Sequence, residues 1–144
     1  MAPSSHQCVG STHPLLASRL FPHHPQSPGH VRAFVARLLA SACPGVSAHA
    51  DVIALCVSEL ATNAVAHGTP PDGQFAVAVV WDKRCICVEV RDTGGGSPVV
   101  ASAAGTDEHG RGLALVQALA DDWGVFFHPV GKTVWFALKA EGPG

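Results

Sequence analysis

No apolar run in the chain approaches the roughly 20 residues needed to cross a bilayer, so the sequence predicts no membrane-spanning helix. Basic residues are scarce and dispersed. Nine Lys and Arg stand against eleven Asp and Glu for a formal charge of -2, with no cluster to track a phosphate backbone, and nucleic acid is not an expected partner. The opening MAPSSHQCVG lacks the basic-then-apolar order of a secretory signal, which makes the cytoplasm the expected location. Cysteine supplies no framework either: the five are an odd number at irregular positions, and Cys56, Cys85 and Cys87 fall in apolar periodic segments where thiols behave as small buried hydrophobes. Nine histidines show no ligand spacing, and His6, His13, His23, His24 and His30 sit among Pro and Ser, where solvated side chains are the expectation.

What remains is a chain of 144 residues, 47% hydrophobic, enough for one domain with a real core. Residues 1–14 read as a flexible leader, 15–140 as the domain and 141–144 as a tail. Leu15 to Phe21 suits a first strand, and Ser27-Pro28 a helix start, with Val31, Phe34, Val35, Leu38 and Leu39 at helical spacing until Cys43-Pro44-Gly45. Ser47 is placed to cap a second helix whose stripe of Ile53, Val57, Leu60 and Ala64 runs to His67-Gly68. Phe75 to Trp81 and Ile86 to Val90 alternate as a hairpin. Thr93 to His109 is a Gly-, Ser- and Ala-rich loop, read as a lid. A third helix is expected over Gly110 to Asp122 with Gly124 as its left-handed stop, then a hairpin of Val125 to Phe127 and Thr133 to Leu138. Strands joined mostly as hairpins predict an α/β sandwich in the α+β sense: a mixed, mostly antiparallel sheet with three helices on one face, not a doubly wound dinucleotide fold.

The second helix carries Glu59, Asn63 and His67 at intervals of four, on one face at the border of the core stripe. Taken alone this is an ordinary solvated helix edge. Val88-Glu89-Val90-Arg91-Asp92 then ends a strand directly before Thr93-Gly94-Gly95-Gly96, which is ordinary turn chemistry or, equally, a carboxylate able to accept from an exocyclic amine, with glycines admitting a flat base. Gly110-Arg111-Gly112-Leu113 opens a helix whose first N–H groups lack internal partners, a ready anion site beside an arginine. The three segments in this order are far more informative than any one.

Together they resemble the GHKL (Bergerat) ATPases. Glu59-Leu60-Ala61-Thr62-Asn63-Ala64-Val65-Ala66-His67-Gly68 resembles the asparagine box, Asp92-Thr93-Gly94-Gly95-Gly96 the first glycine box, and Gly110-Arg111-Gly112-Leu113 the second. The closing Leu113 to Val125 and Gly131-Lys132-Thr133-Val134-Trp135-Phe136 are similar to the anti-sigma-factor serine-kinase branch. The resemblance implies a Bergerat fold, ATP and Mg²⁺ as cofactors, Asn63 as the metal ligand and Glu59 as the general base. It further implies Asp92 reading the adenine amine with help from Thr133, the first glycine box with Gly94 and Gly96 and the asparagine box with His67 lining the nucleotide, and Gly110, Arg111, Gly112 and Leu113 holding the phosphates. The implied activity is phosphorylation of a serine or threonine on an antagonist protein, with sequestration of a sigma factor as the other state and a homodimer as the assembly. A non-catalytic, ATP-gated binding module is the second reading, and a histidine-kinase fragment the third, although helix one is too early and too short for its phosphoacceptor helices.

Overall fold

The computed structural model describes residues 15–43, 45–94 and 108–140. The leader, the tail, Gly96 and nearly all of the expected lid lie outside the described residues, as do the side chains at 108–112. The elements are β1 (Leu15–Pro22), α1 (Ser27–Ala42), α2 (Ala50–Asn63), β2 (Gln74–Trp81), β3 (Cys85–Asp92), α3 (Glu108–Leu119), β4 (Asp122–Phe127) and β5 (Lys132–Lys139). The five strands form one sheet in the order β1-β2-β3-β5-β4, and every pairing is antiparallel. All three helices pack on one face, as an alternation with one buried phase per strand requires.

That face holds the core. Val31 and Val35 of α1, Ile53, Val57 and Leu60 of α2, and Leu113 and Val116 of α3 meet Phe75, Val77 and Val79 of β2, Val88 and Val90 of β3, and Val134 and Phe136 of β5. Phe21 closes the β1 end, stacked on Phe75 and edge-on to Phe34 with ring centroids 5.8 Å apart in each pair. The opposite face carries a smaller cluster of Val80, Cys87, Trp135 and Ala137.

α1 begins at Ser27 with proline in its first turn, as expected, and the Ser27 hydroxyl donates to the Pro22 carbonyl at 2.6 Å, tying α1 to the end of β1. Three local expectations are corrected. A short 3₁₀ turn over Ser47–His49 precedes α2, so His49, not Ser47, stands at the N-cap, and the His49 side chain makes no capping hydrogen bond. The regular second helix stops at Asn63, and Ala64–Gly68 unwind into a π turn. Gly124 is no left-handed stop: α3 ends at Leu119, and Gly124 lies inside β4 against Trp135. A Cβ at that position would come within 2.8 to 2.9 Å of the indole ring, so glycine is required for space. Gly124→Val is therefore expected to lower the unfolding free energy by about 1 to 3 kcal/mol, the usual cost of overpacking. Urea titration followed by tryptophan fluorescence measures this, and an unchanged midpoint would mean that the indole moves aside freely.

Candidate nucleotide site

Asp92 ends β3 with only 2% of its surface exposed. Its Oδ1 accepts the Gly94 N–H at 3.1 Å, and its Oδ2 accepts from Lys132 Nζ at 2.9 Å. Lys132 is the residue directly opposite Asp92 in the β3–β5 ladder, so the register itself brings the two together. Three glycines close up around this residue. A Cβ at Gly68 would collide with the Asp92 carboxyl and reach Lys132 Nζ at 3.0 Å, one at Gly94 would collide with the Gly68 carbonyl, and one at Gly131 with the Asp92 carbonyl. Gly131 also has φ of 81°, a left-handed value that other residues rarely adopt. The end of the asparagine-box segment, the strand-end acid and the β4–β5 turn therefore meet at one point.

The π turn explains how Gly68 gets there. A continued α-helix would have kept His67 in line with Glu59 and Asn63, whereas the wider turn ends the regular spacing after Asn63 and delivers Gly68 against Asp92. Glu59 and Asn63 remain on consecutive turns of α2. His67 is half-buried inside the π turn. Glu59 is half-buried too, and its charge lies near Cys56, whose thiol is pushed up to about 11, first by burial and then by that carboxylate. Cys56 is thus an inert neighbour and not a nucleophile.

Asn63 is 7% exposed, yet neither its amide oxygen nor its amide nitrogen has a hydrogen-bond partner among the described residues. The buried Thr69 hydroxyl is in the same state, while the Thr69 carbonyl accepts from His23 Nδ1 at 2.9 Å. Buried polar atoms are nearly always paired, so an orphaned amide at the end of α2 fits a ligand that supplies the missing partner. Its oxygen is the hard donor that Mg²⁺ takes, and the nearby acid and glycines suit a flat, amine-bearing base.

The structure does not bring Thr133 to this point. Strand alternation puts Lys132, Val134 and Phe136 on the helix side and Thr133 on the other with Trp135, where its hydroxyl is 2.7 Å from His128 Nε2. Lys132, not singled out from the sequence, is the β5 side chain that meets Asp92. A charged residue in phase with Val134, Phe136 and Leu138 was the available signal. Gly110 to Leu113 lie within the first two turns of α3, which begins two residues earlier than expected, and the Leu113 side chain is anchored in the core at 1% exposure. Among the described residues no helix is long and apolar enough to cross a membrane.

The sequence model of the histidine kinase-like ATPase domain matches residues 21–138. The chain belongs to that family. No curated protein matches the sequence of this ATPase domain. Its fold is similar to a crystal structure of the RsbU and RsbW domains of Rv1364c from Mycobacterium tuberculosis, with a TM-score of 0.66 at 20% identity. The match covers 89% of this domain and 34% of that chain, so the domain spans about a third of the larger protein.

Proposed function

We propose that this domain binds Mg-ATP, phosphorylates a serine or threonine of an antagonist protein, and in its other state sequesters a sigma factor. The observation that carries the nucleotide reading is the meeting of Gly68, Gly94 and Gly131 at the buried Asp92. The resemblance of its closing segments to the anti-sigma kinases, and the likeness to a structure that contains an RsbW domain, support the choice of reaction.

In this reading Asp92 accepts from the adenine amine, Asn63 would hold Mg²⁺ through its amide oxygen, and Gly110, Arg111, Gly112 and Leu113 take the phosphates, as the resemblance of this segment to the second glycine box implies. Bound Mg²⁺ offsets negative charge on the phosphate oxygens. The acceptor hydroxyl attacks the γ-phosphorus, Glu59 takes its proton, and ADP leaves with the electrons of the broken P–O bond.

The site reading is tested at Asn63. Removing an amide whose two polar atoms are buried and have no partner among the described residues leaves none of those residues unpaired, so Asn63→Ala is expected to keep, or raise by up to about 1 kcal/mol, the stability of the ligand-free domain. Its ATP affinity should no longer respond to Mg²⁺. Calorimetry with and without the metal, beside a thermal melt, checks both halves. A sharp fall in the ligand-free melting temperature would make Asn63 a structural residue and remove it from the site.

A further inference from the structure

Lysine is almost never fully buried unless its charge is paired. Lys132 is 1% exposed, and it pairs with Asp92 at 2.9 Å with the two side chains 2% and 3% exposed. The pair is held by construction. The two residues are cross-strand partners, both on the helix side of the sheet, and the absence of a side chain at Gly68 leaves the space in which ammonium and carboxylate meet. An ionised carboxylate is an acceptor only, with about four lone-pair positions. Gly94 N–H and Lys132 Nζ engage one oxygen each, so Asp92 can accept again but has no proton to donate.

We infer that Lys132 is a positioning residue that determines base specificity: by keeping Asp92 a charged, acceptor-only group, it selects a purine bearing a 6-amino donor against one bearing a 6-oxo acceptor. This rests on the reading of Asp92 as the base-contacting acid. A 6-amino group completes a hydrogen bond to the carboxylate, whereas a 6-oxo group sets lone pairs against lone pairs and leaves both acceptors unpaired. Burial without a counter-charge disfavours the charged form of a carboxylate relative to its neutral form, and the O–H of a neutral acid can donate to a 6-oxo group. Discrimination by the acid then disappears, although the acid is still present.

The experiment is calorimetric titration of the full chain with Mg-ATP and Mg-ITP, which differ at the purine 6-position, for wild type, Lys132→Met, Asp92→Asn and the double variant. Wild type is expected to prefer ATP by about 10- to 100-fold, the worth of a hydrogen bond to a charged group. Lys132→Met should bring that ratio close to parity, and so should Asp92→Asn, whose amide can donate or accept. In the Asp92→Asn background, Lys132→Met should leave the ratio unchanged, because a neutral amide needs no counter-ion. The ratio is decisive because general loosening or partial unfolding lowers the apparent affinity for both nucleotides alike. Should Lys132→Met not fold, Lys132→Gln keeps a polar head without the charge and is expected to lose the preference in the same way. A lysine variant that retains the wild-type ratio while Asp92→Asn loses it overturns the inference and leaves the base-reading role intact. A wild type indifferent to the 6-position, or an Asp92→Asn variant with the wild-type ratio, overturns both.

Discussion

Asp92→Ala is expected to lower the unfolding free energy of the ligand-free domain by about 3 to 5 kcal/mol, the cost of removing one partner of a buried ion pair. The reason is specific to this site. Lys132 is 1% exposed, faces the core phase of β5 and has its charge directed at the lost carboxylate, while the Gly94 N–H loses its acceptor at the same time. Against a total stability of about 5 to 15 kcal/mol for a domain, such a loss is large, and urea titration should show it as a markedly lower midpoint. Adding Lys132→Met to Asp92→Ala removes the buried charge that has lost its carboxylate and should restore much of the stability. Nucleotide binding should not return, because the acceptor is still absent. An Asp92→Ala domain as stable as wild type would mean that Lys132 reaches water when released, and the pair would then be an incidental contact.

The contrast between Lys132 and Thr133 shows where sequence reading reached its limit. The segment Gly131-Lys132-Thr133 entered the site only through the resemblance, which gave Thr133 a supporting role beside Asp92, but neighbours in a strand point to opposite faces, so a displacement of one residue exchanges the site for the far side of the sheet. Phase settles the matter: Lys132 shares the periodicity of Val134, Phe136 and Leu138, and a lysine in a core phase needs a buried anion. The helix and strand stripes were legible for the same reason that they fold, since Ile53, Val57 and Leu60 or Phe75, Val77 and Val79 allow only one burial pattern each. The π turn was not. Ala64-Val65-Ala66-His67 continues the helical pattern locally, and what unwinds it is the tertiary approach of Gly68 to Asp92 and Gly94, a contact between segments far apart in the chain. Gly124 misled in a similar way, because its role depends on a ring from another strand and not on its own neighbours.

At Glu59 binding and catalysis should separate. Glu59 lies one helical turn before Asn63 on a half-buried face of α2, beside Cys56 and away from the Asp92 junction reached only after the π turn. A general base acts on the proton of the attacking hydroxyl and contacts neither the base nor, directly, the metal. Glu59→Gln is thus expected to keep Mg-ATP affinity near wild type while phosphorylation of the antagonist protein falls by about 10² to 10⁴-fold, the usual contribution of general-base catalysis. Single-turnover transfer from labelled ATP, measured beside calorimetric binding, separates the two quantities. A normal transfer rate in the variant would reduce Glu59 to a helix-edge carboxylate. Equal loss of binding and transfer would instead place it among the groups that hold the nucleotide. If wild type itself transfers no phosphate to any antagonist, the ATP-gated binding module is the correct reading, and the nucleotide serves to set which protein surface the domain presents.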